Sequence, residues 1–182
     1  GMNPTLPEGP APTFHAENGT VMFEAEDTKL YASNSELIGN DANASGNTAV
    51  QLTNEDYGNT DLVKTTYPDE AAYQALFTSG GNPVAAVEPG LEVNVVPDQA
   101  GTYYVWVRLI CESKNQNTLY VSVNNANYGY EAQPTEFSSD YRWVRLNKTV
   151  TVDDSGVDKE INLRFRGRKC GMIWDKFLIT ND

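Results

Sequence analysis

The strongest constraint on this chain lies in residues 102–110, TYYVWVRLI, where Val105, Val107 and Leu109 alternate with Tyr104, Trp106 and Arg108. Side chains point to opposite faces at every second residue only in an extended strand, so this run is a strand with one apolar and one aromatic-cationic face. The pattern recurs in short segments separated by turn residues: GTVMFEAED, NTAVQLT, LEVNVV, TLYVSVNN, RWVRLNKTVTV, EINLRFRG and MIWDKFLIT. Eight such segments in a chain of 182 residues predict a single all-β domain built as a two-sheet β-sandwich. One helical signal, TYPDEAAYQALF at 66–77, has Pro68 at the first helical position and Asp69 and Glu70 in the first turn, and is expected as a short helix in a long connection. Residues 1–18, with Pro4, Pro7, Pro10 and Pro12, read as a Pro-rich linker or tether, leaving 19–182 as the folded domain.

The same alternation assigns faces elsewhere. Leu119, Val121 and Val123 oppose Tyr120 and Ser122; Val144 and Leu146 oppose Trp143 and Arg145; Ile161, Leu163 and Phe165 oppose Arg164 and Arg166. In the last strand Ile173, Phe177 and Ile179 oppose Trp174 and Lys176, which puts all three tryptophans on the non-core side with most of the strand arginines. Asp175 then shares the core parity. A carboxylate there must be protonated, paired with a base or bound to a cation.

Charge narrows the partners. A net charge of −12 argues against nucleic acid and anionic membranes, and no apolar run is long enough for membrane insertion. Residues 1–100 hold 15 acids against Lys29 and Lys64, a balance of −13, while residues 101–182 are close to neutral. His15, the one histidine, falls in the tether, so the folded part has no Ser-His or Cys-His nucleophile system and no H-E-x-x-H metal motif. No amino-terminal segment has signal-peptide character, but Gly1 ahead of Met2 has the look of a cleaved tag and removes the weight of that absence. Cys111 and Cys170 lack zinc spacing; they are either two unrelated thiols or a bridge closing about 60 residues, worth roughly 4 kcal/mol on the chain-entropy model.

Glu24 and Glu26, in FEAED, share one parity of the first strand and could join Asp175 around one ion if the first and last strands are neighbours. Calcium is the hard-oxygen candidate. The competing reading is a solvated acidic face, or pairing of Glu24 and Glu26 with Arg168 and of Asp175 with a buried arginine.

FEAED, AGTYYVWVRL, NTLYVSVNN, YRWVRL and the closing RKCGMIWDKFLITND resemble, in order across about residues 20–182, the signature blocks of carbohydrate-binding modules of families 6 and 35 and their galactose-binding-like relatives. The resemblance implies a jelly roll, a non-catalytic module of a secreted polysaccharide-degrading system, an extracellular, cell-surface or periplasmic location, and a neighbouring glycan-degrading enzyme as partner. It also implies a structural calcium on Glu24, Glu26 and Asp175. Two departures stand out: residues 57–100 are longer than the usual connection, and a block that often reads R-E-D-G is here Arg168, Lys169, Cys170 and Gly171.

Sugars present hydroxyls and apolar C–H faces, so their sites pair exposed aromatics with planar polar groups. Two surfaces qualify. The loop end offers Tyr57 and Tyr141 with Asn115 and Asn117, matching by resemblance the aromatic sandwich of family 6. The strand face offers Tyr104, Trp106, Arg108, Tyr120, Trp143, Arg145, Arg164, Arg166 and Trp174, whose guanidinium groups suit a carboxylated or sulfated glycan. Arginine stacked on tryptophan can equally serve only to cover a sheet. Two other functions remain open: a glycan-cleaving enzyme using paired carboxylates, Glu24 with Glu26 or Glu112 with Glu131, and a protein-contact or spacer domain of the same fold without a sugar site.

Overall fold

The computed structural model describes residues 9–31, 35–52, 90–117, 119–124, 134–167 and 171–182, with 65, 68–72, 75, 126 and the backbone of 129–132 besides. Two antiparallel-dominated sheets face each other. The first contains β1 (Thr13–His15), β3 (Lys29–Tyr31), β6 (Gly90–Val96), β8 (Leu119–Val123), β9 (Gly129–Ala132) and β11 (Ile161–Gly167), in the order β1-β6-β11-β8-β9 with β3 also on β6. The second contains β2 (Thr20–Glu24), β4 (Ser35–Gly39), β5 (Thr48–Leu52), β7 (Gly101–Cys111), β10 (Ser138–Val152) and β12 (Ile173–Thr180), in the order β10-β7-β12-β5-β4 with β2 also on β12. This is the expected two-sheet β-sandwich.

The aliphatic parities meet in the middle. Val105, Val107 and Leu109 of β7 and Leu146 and Val150 of β10 pack against Leu91 and Val93 of β6, Leu119 and Val121 of β8 and Leu163 of β11, all buried. Phe177 joins the layers: its ring lies 4.5 Å from that of Phe165 in the opposite sheet, 5.4 Å from Phe23 and 5.9 Å from Trp174. Phe14 stacks on Phe23 at 5.2 Å, and β1 pairs in parallel with β6, so the sandwich takes in residues 13–15 that the proline pattern had grouped with the tether. At Gly90, φ is 122° and a Cβ would sit 1.9 Å from the Phe165 carbonyl oxygen, so only glycine admits this contact between β6 and β11.

Two assignments made from strand parity change here, and one of the two readings of Cys111 is selected. Tyr120, Arg164 and Arg166 lie in the first sheet, whereas Tyr104, Trp106, Arg108, Trp143 and Arg145 lie in the second, so they do not form one face. Arg164 instead runs along a polar ladder, its Nε 3.7 Å from Glu92 Oε2, beside Asn162, which donates to Glu92 Oε1 and Asn94 Oδ1 at 2.8 and 2.9 Å. Trp174 is fully buried rather than outward. The β7–β12 register slips between Trp174 and Lys176, a bulge that turns Trp174 inward and releases Asp175 from the core parity. Cys111 is a buried free thiol whose S–H donates to the Ser113 carbonyl at 3.4 Å, so it forms no bridge, and burial pushes its pKa up.

In the stretch expected to be helical, the Asp69 carboxylate accepts from the N–H groups of Ala71 and Ala72 at 2.9 and 3.3 Å, as a helix N-cap does. Residues 70–72 and 75 are helical, and 66, 67, 73, 74, 76 and 77 lie outside the described residues, as do Tyr57, Arg168 and Cys170. Among the described residues no helix is long and apolar enough to cross a membrane.

Candidate functional site

The first and last long strands are neighbours, as the acid argument requires. β2 pairs with β12, with Glu24 opposite Lys176 and Phe23 opposite Phe177. Past Glu24 the chain leaves the sheet in a 3₁₀ turn, Ala25–Asp27, which Thr28 closes by donating its hydroxyl to the Ala25 carbonyl at 2.7 Å. Ala25 is fully buried in this turn, which leaves Glu26 part-buried beside Glu24.

The connection from β4 to β5 folds over these acids. It is a compact chain of turns, in which Ala44 N–H donates to Asp41 O at 3.1 Å and Asn47 N–H to Ala44 O at 3.1 Å. Ser45 ties two of the three acids: its N–H donates to Asp175 Oδ1 at 2.8 Å and its hydroxyl donates to Glu24 Oε1. Gly46 stands over Glu26, whose Oε1 would lie 3.6 Å from a Cβ at that position.

The second Asp175 oxygen, Oδ2, accepts from Arg108 Nη1 of β7. Asp175 is fully buried, whereas the Arg108 side chain is 26% exposed. Among the described residues, Glu24 Oε2 and Glu26 Oε2 are buried without a hydrogen-bond donor. The Glu26 pKa is pushed up to about 8, chiefly by burial and further by the negative charges of Glu24, Asp27 and Asp175, against a backbone hydrogen bond that lowers it. The site therefore has more carboxylate than counter-charge.

All of these donors are oxygens, the set that calcium prefers, and the two orphaned oxygens are where a cation would be needed. Among the described residues, however, no three acids, histidines or cysteines stand as a ready-made metal cage. The donor chemistry fits a hard cation, with one Asp175 oxygen held by Arg108.

Arg108 also links the acids to the outer face of the second sheet. Its Nη1 donates to the Asn43 carbonyl at 3.1 Å, and its guanidinium lies 4.7 Å from the centre of the Tyr141 ring. Tyr141 in turn donates its hydroxyl to Asp41 Oδ2 at 2.7 Å; burial and that bond hold its pKa well above the usual tyrosine value. Tyr141 reaches this place because the β7–β10 register is irregular between Ser138 and Arg142. Asp41, Asn43, Arg108, Ile110, Asp140 and Tyr141 line a concavity of about 300 Å³.

Beside it along β10, Trp143 is 39% exposed, with Lys176 Nζ 5.9 Å from its ring centre, and Arg145 lies 5.2 Å from the Tyr104 ring. Trp143, Arg142, Arg145 and Glu136 border a second concavity, of about 410 Å³. Trp106, opposite Arg145 in the register, is part-buried on the same sheet.

The structure thus brings together Glu24, Glu26 and Asp175, and through Arg108, which binds Asp175, joins them to Tyr141 and Trp143 on the outer face. Asn115 is exposed in the turn after β7, where its N–H donates to Ser113 Oγ, and it lines neither concavity. Asn117 is buried, donating to the Pro134 carbonyl at 3.1 Å. Sequence reasoning missed Asp41 and Asn43; the signal was the turn-forming run GNDANASGN at 39–47, whose residues are placed by long-range packing.

No protein-family model matches the chain, and no curated protein matches its sequence. Solved structures do match in fold. A family 35 carbohydrate-binding module from Clostridium thermocellum aligns with a TM-score of 0.56 at 15% identity, over 90% of this chain and 98% of that one. The C-terminal family 6 module of LamC, a marine laminarinase of Zobellia galactanivorans, aligns at 0.51 and 12% identity, over 88% and 98%. The GH26-CBM35 β-(1,4)-mannanase of Podospora anserina aligns at 0.57 and 13% identity over 91% of this chain, which spans only 28% of that enzyme. The chain therefore has the β-sandwich fold of the family 6 and family 35 modules.

Proposed function

We propose that this chain is a non-catalytic carbohydrate-binding module that takes a glycan on the outer face of its second sheet. One observation carries the reading: the Arg108–Tyr141–Asp41 concavity is lined by side-chain donors and acceptors, and Arg108 stands opposite the exposed Trp143 in the β7–β10 register. Trp143 offers an apolar surface for sugar C–H groups, and the polar wall offers partners for hydroxyls. Around Trp143 the bases Arg142, Arg145 and Lys176 outnumber Glu136, whereas Asp41 and Asp140 line the neighbouring concavity, so a carboxylated or sulfated group is favoured at the Trp143 end of this face. The shared fold with carbohydrate-binding modules supports the general reading.

A structural calcium completes the proposal, held by Glu24, Glu26 and Asp175. When bound, the ion supplies counter-charge to these acids. The module works outside the cell or at its surface, next to a glycan-degrading enzyme that it keeps near its polysaccharide.

The test is a glycan array probed with the purified protein, in calcium and again in chelator, followed by titration of hits against Trp143→Ala and Tyr141→Phe. Binding of acidic glycans that weakens in both variants is the expected result. Unchanged affinity in folded variants, or an empty array, would remove this reading.

A further inference from the structure

Asp175 has two oxygens and no access to water, and both are already engaged by the chain itself. Ser45 N–H occupies Oδ1 and the Arg108 guanidinium occupies Oδ2. Around them, Glu24 Oε2 and Glu26 Oε2 remain buried without donors. Among the described residues, one fixed cation therefore serves a group of three acids and reaches only one of them.

We propose that Arg108 is a built-in competitor for the cation site: its guanidinium and a divalent cation are alternative counter-charges for Asp175, and Arg108 leaves Asp175 for the Asp41–Tyr141 concavity when the cation is present. The inference rests on the calcium reading above and deepens it. A divalent cation on Asp175 would stand close to the guanidinium on Oδ2, and the repulsion between the two positive charges in this buried setting weakens whichever binds second, so each opposes the other. Arg108 has somewhere to go. Its side chain is 26% exposed, already lies 4.7 Å from the Tyr141 ring, and borders the concavity that holds Asp41 and Asp140. Asp175 cannot follow, because its bulge is pinned between β7 and Ser45. Arg108 thus couples the acid site to the face proposed for glycan binding. By linkage, whatever draws Arg108 out of the acid site tightens the cation, and the reverse.

Removing the competitor should strengthen the cation site. The experiment titrates calcium chloride into chelator-stripped wild-type and Arg108→Gln proteins by calorimetry. The expected result is calcium binding about tenfold tighter in R108Q. Equal or weaker binding in R108Q, with wild type still binding, overturns the competition while leaving the calcium reading intact. No heat and no thermal shift with calcium in either protein ends both. Should R108Q not fold, arginine Nε–H resonances of the wild-type chain give the same answer: the Arg108 signal shifts in step with calcium while that of Arg145 stays, and a stationary Arg108 signal overturns the proposal.

Discussion

The buried Arg108–Asp175 pair is asymmetric, and the asymmetry predicts unequal costs for removing its two members in metal-free protein. Substituting Arg108→Gln leaves a fully buried carboxylate without its counter-charge, which places the loss in the range of about 3–5 kcal/mol. Substituting Asp175→Asn keeps an acceptor for the Ser45 N–H and strands a guanidinium that is 26% exposed, so water recovers part of the loss and about 2–3 kcal/mol is expected. The double variant should cost less than the two single losses together, with a coupling of at least about 1 kcal/mol. Urea unfolding at pH 7.5 in chelator, followed by circular dichroism, measures all four proteins. The reasoning is refuted if D175N costs as much as R108Q, or if the losses add to within about 0.3 kcal/mol.

Other consequences are more local. Glu26 holds its proton up to about pH 8 in the folded chain against 4.5 for an ordinary glutamate, so its stabilising contribution is complete below about 4.5 and declines as pH rises to about 8. In chelator, the difference in urea midpoint between wild type and Glu26→Gln should follow that course between pH 5 and 8.5, and a flat difference would contradict it. Gly90→Ala should cost at least about 2 kcal/mol, from the positive φ and the 1.9 Å approach to the Phe165 oxygen, as read from thermal unfolding. Trp143→Ala should change stability by less than about 1 kcal/mol yet weaken a glycan hit about tenfold by titration.

Local alternation carried most of the fold. In β7 the aliphatic parity Val105, Val107 and Leu109 is buried, while Tyr104, Trp106 and Arg108 face outward as the pattern requires. Alternation failed at β12, because one inserted residue between Trp174 and Lys176 reverses the parity and leaves no mark in the residue types. It also could not allot strands to sheets: Arg164 and Arg145 follow the same rule in isolation, and only the pairings of β11 with β6 and of β10 with β7 separate them. The gathering of Glu24, Glu26 and Asp175 was legible because it needed only neighbouring terminal strands. The contribution of Asp41, Asn43 and Ser45 was not, since it depends on how one turn folds back across a sheet.

Mapping a bound glycan by amide chemical shifts tests the central claim most directly. With ¹⁵N-labelled protein and an acidic oligosaccharide that scores on the array, the account predicts changes centred on Asp41, Asn43, Arg108, Tyr141 and Trp143. Shifts confined to Asn115, Gln116 and Gly171, or to the Asn162 ladder of the opposite sheet, would contradict it.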